Sequence, residues 1–451
     1  MNLAARVRSV IAPPPETSRI FSSDDEMRRD YRGWRGRQLA TTFVGYAVYY
    51  FVRSNFSMAM PLLEQQGYSK KTLGFYLTAH QQVYGLSKFL SGVVADRTNP
   101  RFLMTLGLAA SALVNLALGF ASTAEALGVL LVLNGLFQGM GFPPVARVLA
   151  HWFGRRERGT MWGVWNTSHQ FGAAGIAVMG GYLAARYGWQ AVFTVPAIMA
   201  LTTAGAIGAF LRDTPGSLGL PPVEVYLGET PGPDESPSPA DSTSGAWRLV
   251  FGNPYVWLVC FANFFVYVIR YVFLNWAPTY LKQVKGIELD AAGWSVACFE
   301  IAGIAGSLLA GWLTDRFFSA RRAPVCVTFM MCSGLAVLGL WVLPQGSSLA
   351  HVNALIGAAG FFIYGPQFLV GVMMADIASK DAVATAVGLS GFFGYTSGII
   401  SGWGMGWLVT TYGWDLGFRL LMLCAGLGAL LFAACWNATG PRGPVPASSR
   451  A

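Results

Sequence analysis

Charge is what this chain has least of. Of its 451 residues only 12% are Asp, Glu, Lys or Arg, while 54% are hydrophobic. Soluble domains carry roughly 25% charged residues, so the shortage excludes an ordinary water-soluble protein and points to a lipid bilayer as solvent. Acids are scarcer than bases, 22 against 31, giving a formal net charge of +9. No basic nucleic-acid-binding motif accompanies that excess, so nucleic acid is not expected as a partner. The surplus is left for loops on one side of a membrane and for an anionic ligand. Cysteine is sparse as well. Cys260, Cys298, Cys326, Cys332, Cys424 and Cys435 all fall in apolar segments of the second half and form no CxxC pair. They read as packing residues. Residues 1–37 hold eight arginines and lack the short apolar core of a cleavable signal peptide.

What is abundant is long apolar sequence. About 20 residues suffice to cross a bilayer as a helix. Twelve stretches qualify, near 38–62, 72–95, 102–121, 124–150, 160–184, 190–211, 253–281, 291–313, 323–343, 350–374, 383–409 and 415–437. The expected fold is an all-α membrane protein with twelve transmembrane helices. The 54 glycines suit close helix packing in lipid. Residues 213–250 are rich in Pro, Gly and Ser and read as a flexible linker. The chain then divides into a tail (1–37), a first half (38–212), the linker, a second half (251–437) and a second tail (438–451). Loop arginines set the orientation. Arg97 and Arg101, then Arg155, Arg156 and Arg158, then Arg316, Arg321 and Arg322 lie on one side. The positive-inside rule places that side, both tails and the linker in the cytoplasm.

The halves repeat one another. GVVADR (92–97) recurs as GWLTDR (311–316), offset 311 − 92 = 219. YGWQAVF (187–193) recurs as YGWDLGF (412–418), offset 412 − 187 = 225. Tyr50 and Arg53 recur as Tyr267 and Arg270, offset 267 − 50 = 217. Near-constant offsets indicate two pseudo-symmetric six-helix halves. In the GxxxDR turns, Asp96, Arg97, Asp315 and Arg316 are candidates for a latch that holds helix ends in one gating state. The same turn is the loop signature of the major facilitator superfamily.

Arg53 sits deep in the first stretch. An arginine at the centre of a spanning helix costs about 2.5–3.5 kcal/mol even on the lenient insertion scale, so it is expected to face a cavity. Tyr46, Tyr49, Tyr50, Arg53, Ser57 and Met60 recur at spacings of three and four, which predicts one shared helix face. Arg270 occupies the matching place in the seventh stretch. Two cations facing each other in low dielectric repel, and an anion between them removes the conflict. Guanidinium forks match phosphate or carboxylate oxygens, and a phosphate monoester carries about −1.5 to −2, enough to neutralise two arginines. Few acids compete for them: Glu300 and Asp376 are the candidates within or beside the spans. His169 lies on a face with Trp162, Trp165 and Asn166, and its repeat position holds Gly394, so it is not a relic of the symmetric scaffold. Lys88 is mid-helix, four residues after Tyr84, and either adds positive potential or pairs with Glu300.

YYFVRSNFSMAMP, FQGMGFPPVAR, VWNTSHQFGAA, RDTPGSLGLPPVE, FVYVIRYVFLNWAPTYLKQVK and FEIAGIAGSLLAGWLTDR closely resemble the organophosphate:phosphate antiporters, and the resemblance runs from about residue 38 to 437. It implies that Arg53 and Arg270 bind a phosphoryl group with help from His169. It also implies that Tyr50, Tyr267, Tyr364, Tyr395, Asn166, Lys88 and Glu300 line the cavity. The implied activity is exchange of a small organic phosphate, glycerol 3-phosphate foremost, for inorganic phosphate. Phosphoglycerate, hexose phosphate or a sugar-phosphate sensor role are the alternatives. The protein is expected to be a monomer of the bacterial inner membrane, with no metal or cofactor and no enzymatic activity.

One departure yields a test. Glycerol-3-phosphate carriers of the family usually follow the first arginine with Lys and place Asp five residues after the second; here these positions hold Ser54 and Asn275. Both members of an ion pair are replaced together, which leaves cavity charge unchanged. Ser54→Lys is expected to impair transport by adding an unpaired buried charge, and Asn275→Asp to restore part of it. Single defects that merely sum in a transport assay would show that the positions do not touch.

Overall fold

The computed structural model describes residues 12, 14–17, 19, 21–95, 98–228, 251–318, 321–377 and 383–436. Among these the chain is helical without a strand. Twelve rods follow one another. They are α1 (Asp24–Phe51, resuming as Phe56–Gln65), α2 (Lys70–Ala95), α3 (Pro100–Leu118), α4 (Ala124–Gln138, resuming as Phe142–Trp152), α5 (Arg155–Asn166, resuming as Ser168–Tyr187) and α6 (Trp189–Phe210). The second half repeats them as α7 (Pro254–Val284), α8 (Leu289–Phe317), α9 (Ala323–Val342), α10 (Leu349–Ile377), α11 (Val383–Thr396, a π turn at Ile399–Gly404, then Met405–Tyr412) and α12 (Trp414–Ala434). Eight rods are long and apolar enough to span a bilayer: α3, α4, α6, α7, α8, α9, α10 and α12. The other four are interrupted or carry polar side chains, as expected of helices that face a cavity. Large apolar side chains such as Phe120, Leu308 and Leu430 remain exposed, which suits a lipid-facing surface.

The sequence placed the start of the first helix near residue 38; the structure begins it at Asp24. Ser23 caps it by accepting from the Glu26 backbone N–H at 3.2 Å, and Asp24, Asp25 and Glu26 complement the helix dipole in the first turn. Hydropathy cannot register this extension because it is polar. The head of the linker is also not free. Asp213 is buried and takes a bidentate pair of bonds from Arg147, at 2.8 and 2.9 Å. Tyr226 stacks on Tyr31 at 4.0 Å, and Leu220 and Val223 are buried. Residues 213–228 thus dock on the first half, while 229–250 and the second tail lie outside the described residues.

The halves meet along two glycine seams at the ends remote from Asp24. In α5 against α8, a Cβ on Gly181 would strike the Leu289 carbonyl, and one on Gly293 would strike that of Ala177. In α2 against α11, a Cβ on Gly74 would strike the Gly402 carbonyl, and one on Gly406 that of Lys70. The seams are symmetry mates: 293 − 74 = 219 and 406 − 181 = 225, the offsets of the sequence repeats. Backbones this close leave no room for a side chain. Thr78 adds polar closure, donating to the Gly398 carbonyl and accepting from the Trp403 N–H, both at 2.8 Å. The seams shut one side of the molecule.

Gly293→Leu is expected to wedge the α5–α8 seam open. The distance between spin labels placed at the exposed Tyr182 and Trp294 should lengthen relative to the parent protein. An unchanged distance distribution would show that the seam does not govern closure.

Candidate functional site

Arg53 does not continue a regular helix. α1 ends at Phe51, and the chain passes through Val52–Asn55 before the helix resumes at Phe56. The N–H groups of Arg53 and Ser54 both donate to the Tyr50 carbonyl, at 3.2 and 2.9 Å, closing a tight local turn. Part of the expected common face is overturned. Tyr50 and Arg53 turn toward the cavity. Tyr49 instead points into the first half and donates to the Met104 carbonyl at 2.7 Å, and Met60 is fully buried in the core. The Arg53 guanidinium lies 3.8 Å from the ring centroid of Tyr84 and 4.9 Å from that of Tyr50.

Arg270 comes from the middle of α7, which is continuous. It is 4% exposed. Its Nε donates to the Tyr364 hydroxyl at 3.0 Å, and that hydroxyl donates to Glu300 Oε2 at 2.5 Å. The carboxylate therefore reaches the guanidinium through a phenol. The rings of Tyr364, Tyr271 and Tyr267 surround the cation at 4.9, 5.6 and 5.8 Å. Glu300 is wholly buried, and its Oε1 has no hydrogen-bond partner.

Lys88 does not pair with Glu300. Its Nζ lies 4.0 Å from the Phe142 ring and donates to the Tyr395 hydroxyl at 3.3 Å, across the two halves. Asp376 is not in the cavity at all. It pairs with Arg322 at 3.1 Å near the end of α10. Arg322 also donates to Thr314 at 2.6 Å, so it joins the ends of α8, α9 and α10. Among the described residues no carboxylate contacts Arg53, Arg270 or Lys88 directly.

His169 opens the second segment of α5, directly after its break. Its Nδ1 is hydrogen-bonded to the Asn166 carbonyl, and its buried Nε2 has no partner. The Asn166 side chain itself is exposed, so this contact is made by the backbone. The imidazole lies 5.9 Å from the Tyr50 ring and 6.3 Å from that of Tyr364, one from each half.

Ring and hydrogen-bond contacts thus link Arg53, Arg270, His169, Lys88, Tyr50, Tyr267, Tyr364, Tyr395 and Glu300 into one cluster across the halves. No hydrogen bond joins Ser54 and Asn275. Asp96 and Arg97 lie outside the described residues, and Asp315 and Arg316 fall at the end of α8, where Arg316 is exposed. Tyr84 and Phe142, the faces under Arg53 and Lys88, were not singled out from sequence. The i,i+4 spacing of Tyr84 and Lys88 was the available signal. Chemically, the site offers two guanidiniums, an ammonium and an imidazole nitrogen to a common point. Cation–π contacts supply up to about 2 kcal/mol each when desolvated. Desolvating a cation costs several kcal/mol. The aromatic box therefore holds the cations in place while leaving their charge uncancelled.

Residues 42–402 and 286–451 match the sequence profile of the Major Facilitator Superfamily. Similar in sequence is a glycerol-3-phosphate transporter of Bacillus subtilis, 40% identical over 96% of this chain and 99% of that protein. A probable hexose phosphate transport protein of Chlamydia pneumoniae is 35% identical over 94% and 96%. The membrane sensor protein UhpC of Escherichia coli is 35% identical over 95% and 98%. Among solved structures, a bacterial homologue of the human lysosomal transporter Spinster superposes with a TM-score of 0.75 over 91% of this chain and 99% of that one. At 14% identity that likeness speaks for the fold. Profile, relatives, architecture and repeat agree, and the chain belongs to the organophosphate:phosphate antiporter family of the major facilitator superfamily.

Proposed function

We propose that the protein exchanges a small organic phosphate, glycerol 3-phosphate first among the candidates, for inorganic phosphate by alternating access. One observation carries this reading. Two guanidiniums, one from each half, stand on aromatic rings, Arg53 over Tyr50 and Tyr84 and Arg270 over Tyr267, Tyr271 and Tyr364, and no described carboxylate touches either. A phosphoryl dianion bridging them would neutralise both forks at once. Lys88 would complete its donors, joined by His169 Nε2 in the imidazolium form, since Nδ1–H already serves the Asn166 carbonyl. Tyr50, Tyr267, Tyr364, Tyr395 and Asn166 would line the remainder and meet the organic group. The similarity to glycerol-3-phosphate and hexose-phosphate transport proteins supports the substrate class.

The exchange rule follows from electrostatics. Closing the halves on an empty site would press uncompensated cations together in low dielectric. A bound anion removes that barrier, so the carrier reorients loaded and returns loaded. Glu300, held one phenol away, restrains Arg270 without quenching it. Asp96, Arg97, Asp315 and Arg316 would latch the helix ends on the side of the termini. That side is the cytoplasm by the positive-inside rule, in a monomer of a bacterial inner membrane. The segments 38–212 and 251–437 would be the rocking halves, joined by 213–250. No step in the cycle calls for catalysis, a metal or a cofactor.

The similarity to a membrane sensor favours one second reading, in which phosphate-ester binding is signalled rather than followed by transport. Counterflow of labelled phosphate in proteoliposomes against a panel of organic phosphates separates the two. Exchange is expected for at least one ester, and its complete absence in a folded, phosphate-binding preparation would support the sensor.

Arg53→Lys and Arg270→Lys should each reduce phosphate exchange by about a hundredfold or more, the scale of removing one member of a buried charge contact. Substantial exchange by either well-expressed variant would sink the two-fork arrangement. At His169, Gln keeps a donor and Leu does not. His169→Gln should therefore retain phosphate binding better than His169→Leu, with about a tenfold difference in dissociation constant expected for one buried hydrogen bond to a charged group. Equal affinities would make His169 a packing residue.

A further inference from the structure

α1 is interrupted where its symmetry mate α7 is not, and a buried polar cluster lies against the interruption. Helix geometry would have the Phe56 N–H bond to the Val52 carbonyl. That bond is not made. The Val52 carbonyl instead accepts from two side-chain amides, Asn115 Nδ2 of α3 at 3.0 Å and Asn134 Nδ2 of α4 at 2.7 Å. At the far edge of the break, Asn55 Nδ2 donates to Asn115 Oδ1 at 2.9 Å and to the Val192 carbonyl of α6 at 3.1 Å. Gln138 Nε2 donates to Ser111 Oγ at 2.7 Å, and Ser111 donates in turn to Asn134 Oδ1. All five side chains are almost wholly buried: Asn55 1%, Ser111 0%, Asn115 0%, Asn134 1% and Gln138 2%.

The second half supplies the control. The serines and prolines shared by α3 and α9 and by α4 and α10 repeat at one offset, since 333 − 111 = 222 and 366 − 144 = 222. At that offset Asn115 corresponds to Val337 and Asn134 to Ile356, because 337 − 115 = 222 and 356 − 134 = 222. At the α1–α7 offset Asn55 corresponds to Val272, since 272 − 55 = 217. All three counterparts are buried and apolar. None of these three side chains can take up a freed carbonyl, and α7 runs unbroken through Arg270. Leaving such a carbonyl unpaired in the membrane interior would cost several kcal/mol. Polar cluster and broken helix therefore occur together, and apolar cluster and straight helix occur together.

We propose that Asn55, Asn115 and Asn134 are positioning residues for Arg53. Their amides hold the backbone released between Phe51 and Phe56, and so fix the direction from which the guanidinium enters the cavity over Tyr84. This assignment rests on the reading of Arg53 as a phosphate ligand. It gives the halves different ways of aiming equivalent arginines. Arg270 is held at its side chain, through Tyr364 and Glu300. Arg53 is held at its backbone, through three asparagines that lie outside the cavity.

The test is a double-mutant cycle on the full-length protein, with inorganic phosphate as the ligand and its dissociation constant as the readout. Asn134→Leu keeps the branched outline and heavy-atom count of the side chain and removes the 2.7 Å bond to Val52. It should weaken phosphate binding about tenfold, the scale of one lost buried hydrogen bond. In an Arg270→Lys background it should weaken binding by the same factor again. In an Arg53→Lys background it should add little, because the group it aims is already gone. An equal loss in both backgrounds is the signature of general destabilisation and would overturn the proposal. So would an unchanged constant in Asn134→Leu alone while Arg53→Lys weakens binding, and in that case the phosphate-site reading would stand. If Arg53→Lys itself leaves the constant unchanged, the phosphate-site reading falls and the assignment falls with it. Should Asn134→Leu fail to melt cooperatively, Asn115→Ser, which shortens the other donor, runs the same cycle with the same expected pattern.

Discussion

Positive charge that no described acid contacts, held between two helical halves, is the constraint on which this structure depends. A guanidinium in a bilayer interior is ordinarily quenched by a carboxylate or drawn toward the interface. Neither happens here. Arg53 rests on the faces of Tyr84 and Tyr50, and Arg270 meets Glu300 only through the Tyr364 hydroxyl. The quadrupole of an aromatic ring stabilises a cation without cancelling its charge. The field therefore survives, and an anion arriving from water can claim it. Lys88, seated on Phe142, repeats the device.

The duplicated fold supplies the other half of the explanation. Glycine seams related by the repeat offsets bring the halves into backbone contact at the ends remote from Asp24. Such contacts suit a joint that opens and closes, because they rest on shape and need no interlocked side chains to be pulled apart. In the proposed exchange cycle, charge then sets when the joint moves. Symmetry provides two arginines at equal depth, and departures from symmetry make the site chemically specific. His169 answers to Gly394, Phe142 to Tyr364, and the buried asparagines to Val337, Ile356 and Val272. A site with two identical faces could grip a phosphoryl group but could not tell its organic end from its anionic end.

Much of the fold was legible in the chain itself. Length and apolarity of its stretches specify twelve helices, because the bilayer demands about 20 apolar residues from each and leaves few alternatives. The repeat offsets specify two halves, and the scarcity of acids singles out Arg53 and Arg270. Each of these readings rests on local composition or on self-similarity, which need no tertiary contact. What periodicity could not supply was where the helices would fail. The face assigned to Tyr46, Tyr49, Tyr50, Arg53, Ser57 and Met60 assumed an unbroken helix. At the break over Val52–Asn55 the freed Val52 carbonyl is met by amides sixty and more residues away, and Met60 beyond it is buried in the core, while Tyr49 ahead of it turns to the Met104 carbonyl. Partner choice was likewise tertiary. Sequence offered Lys88 and Glu300 to each other, but α2 and α8 point them at Tyr395 and Tyr364. The ordered head of the linker was hidden for the same reason, since its Pro and Gly content describes a free chain and says nothing of the pocket that Arg147 and Tyr31 build to receive it. Chemistry along the chain determined which groups must find partners in the membrane; only the packing of helices distant in sequence decided which partners they found.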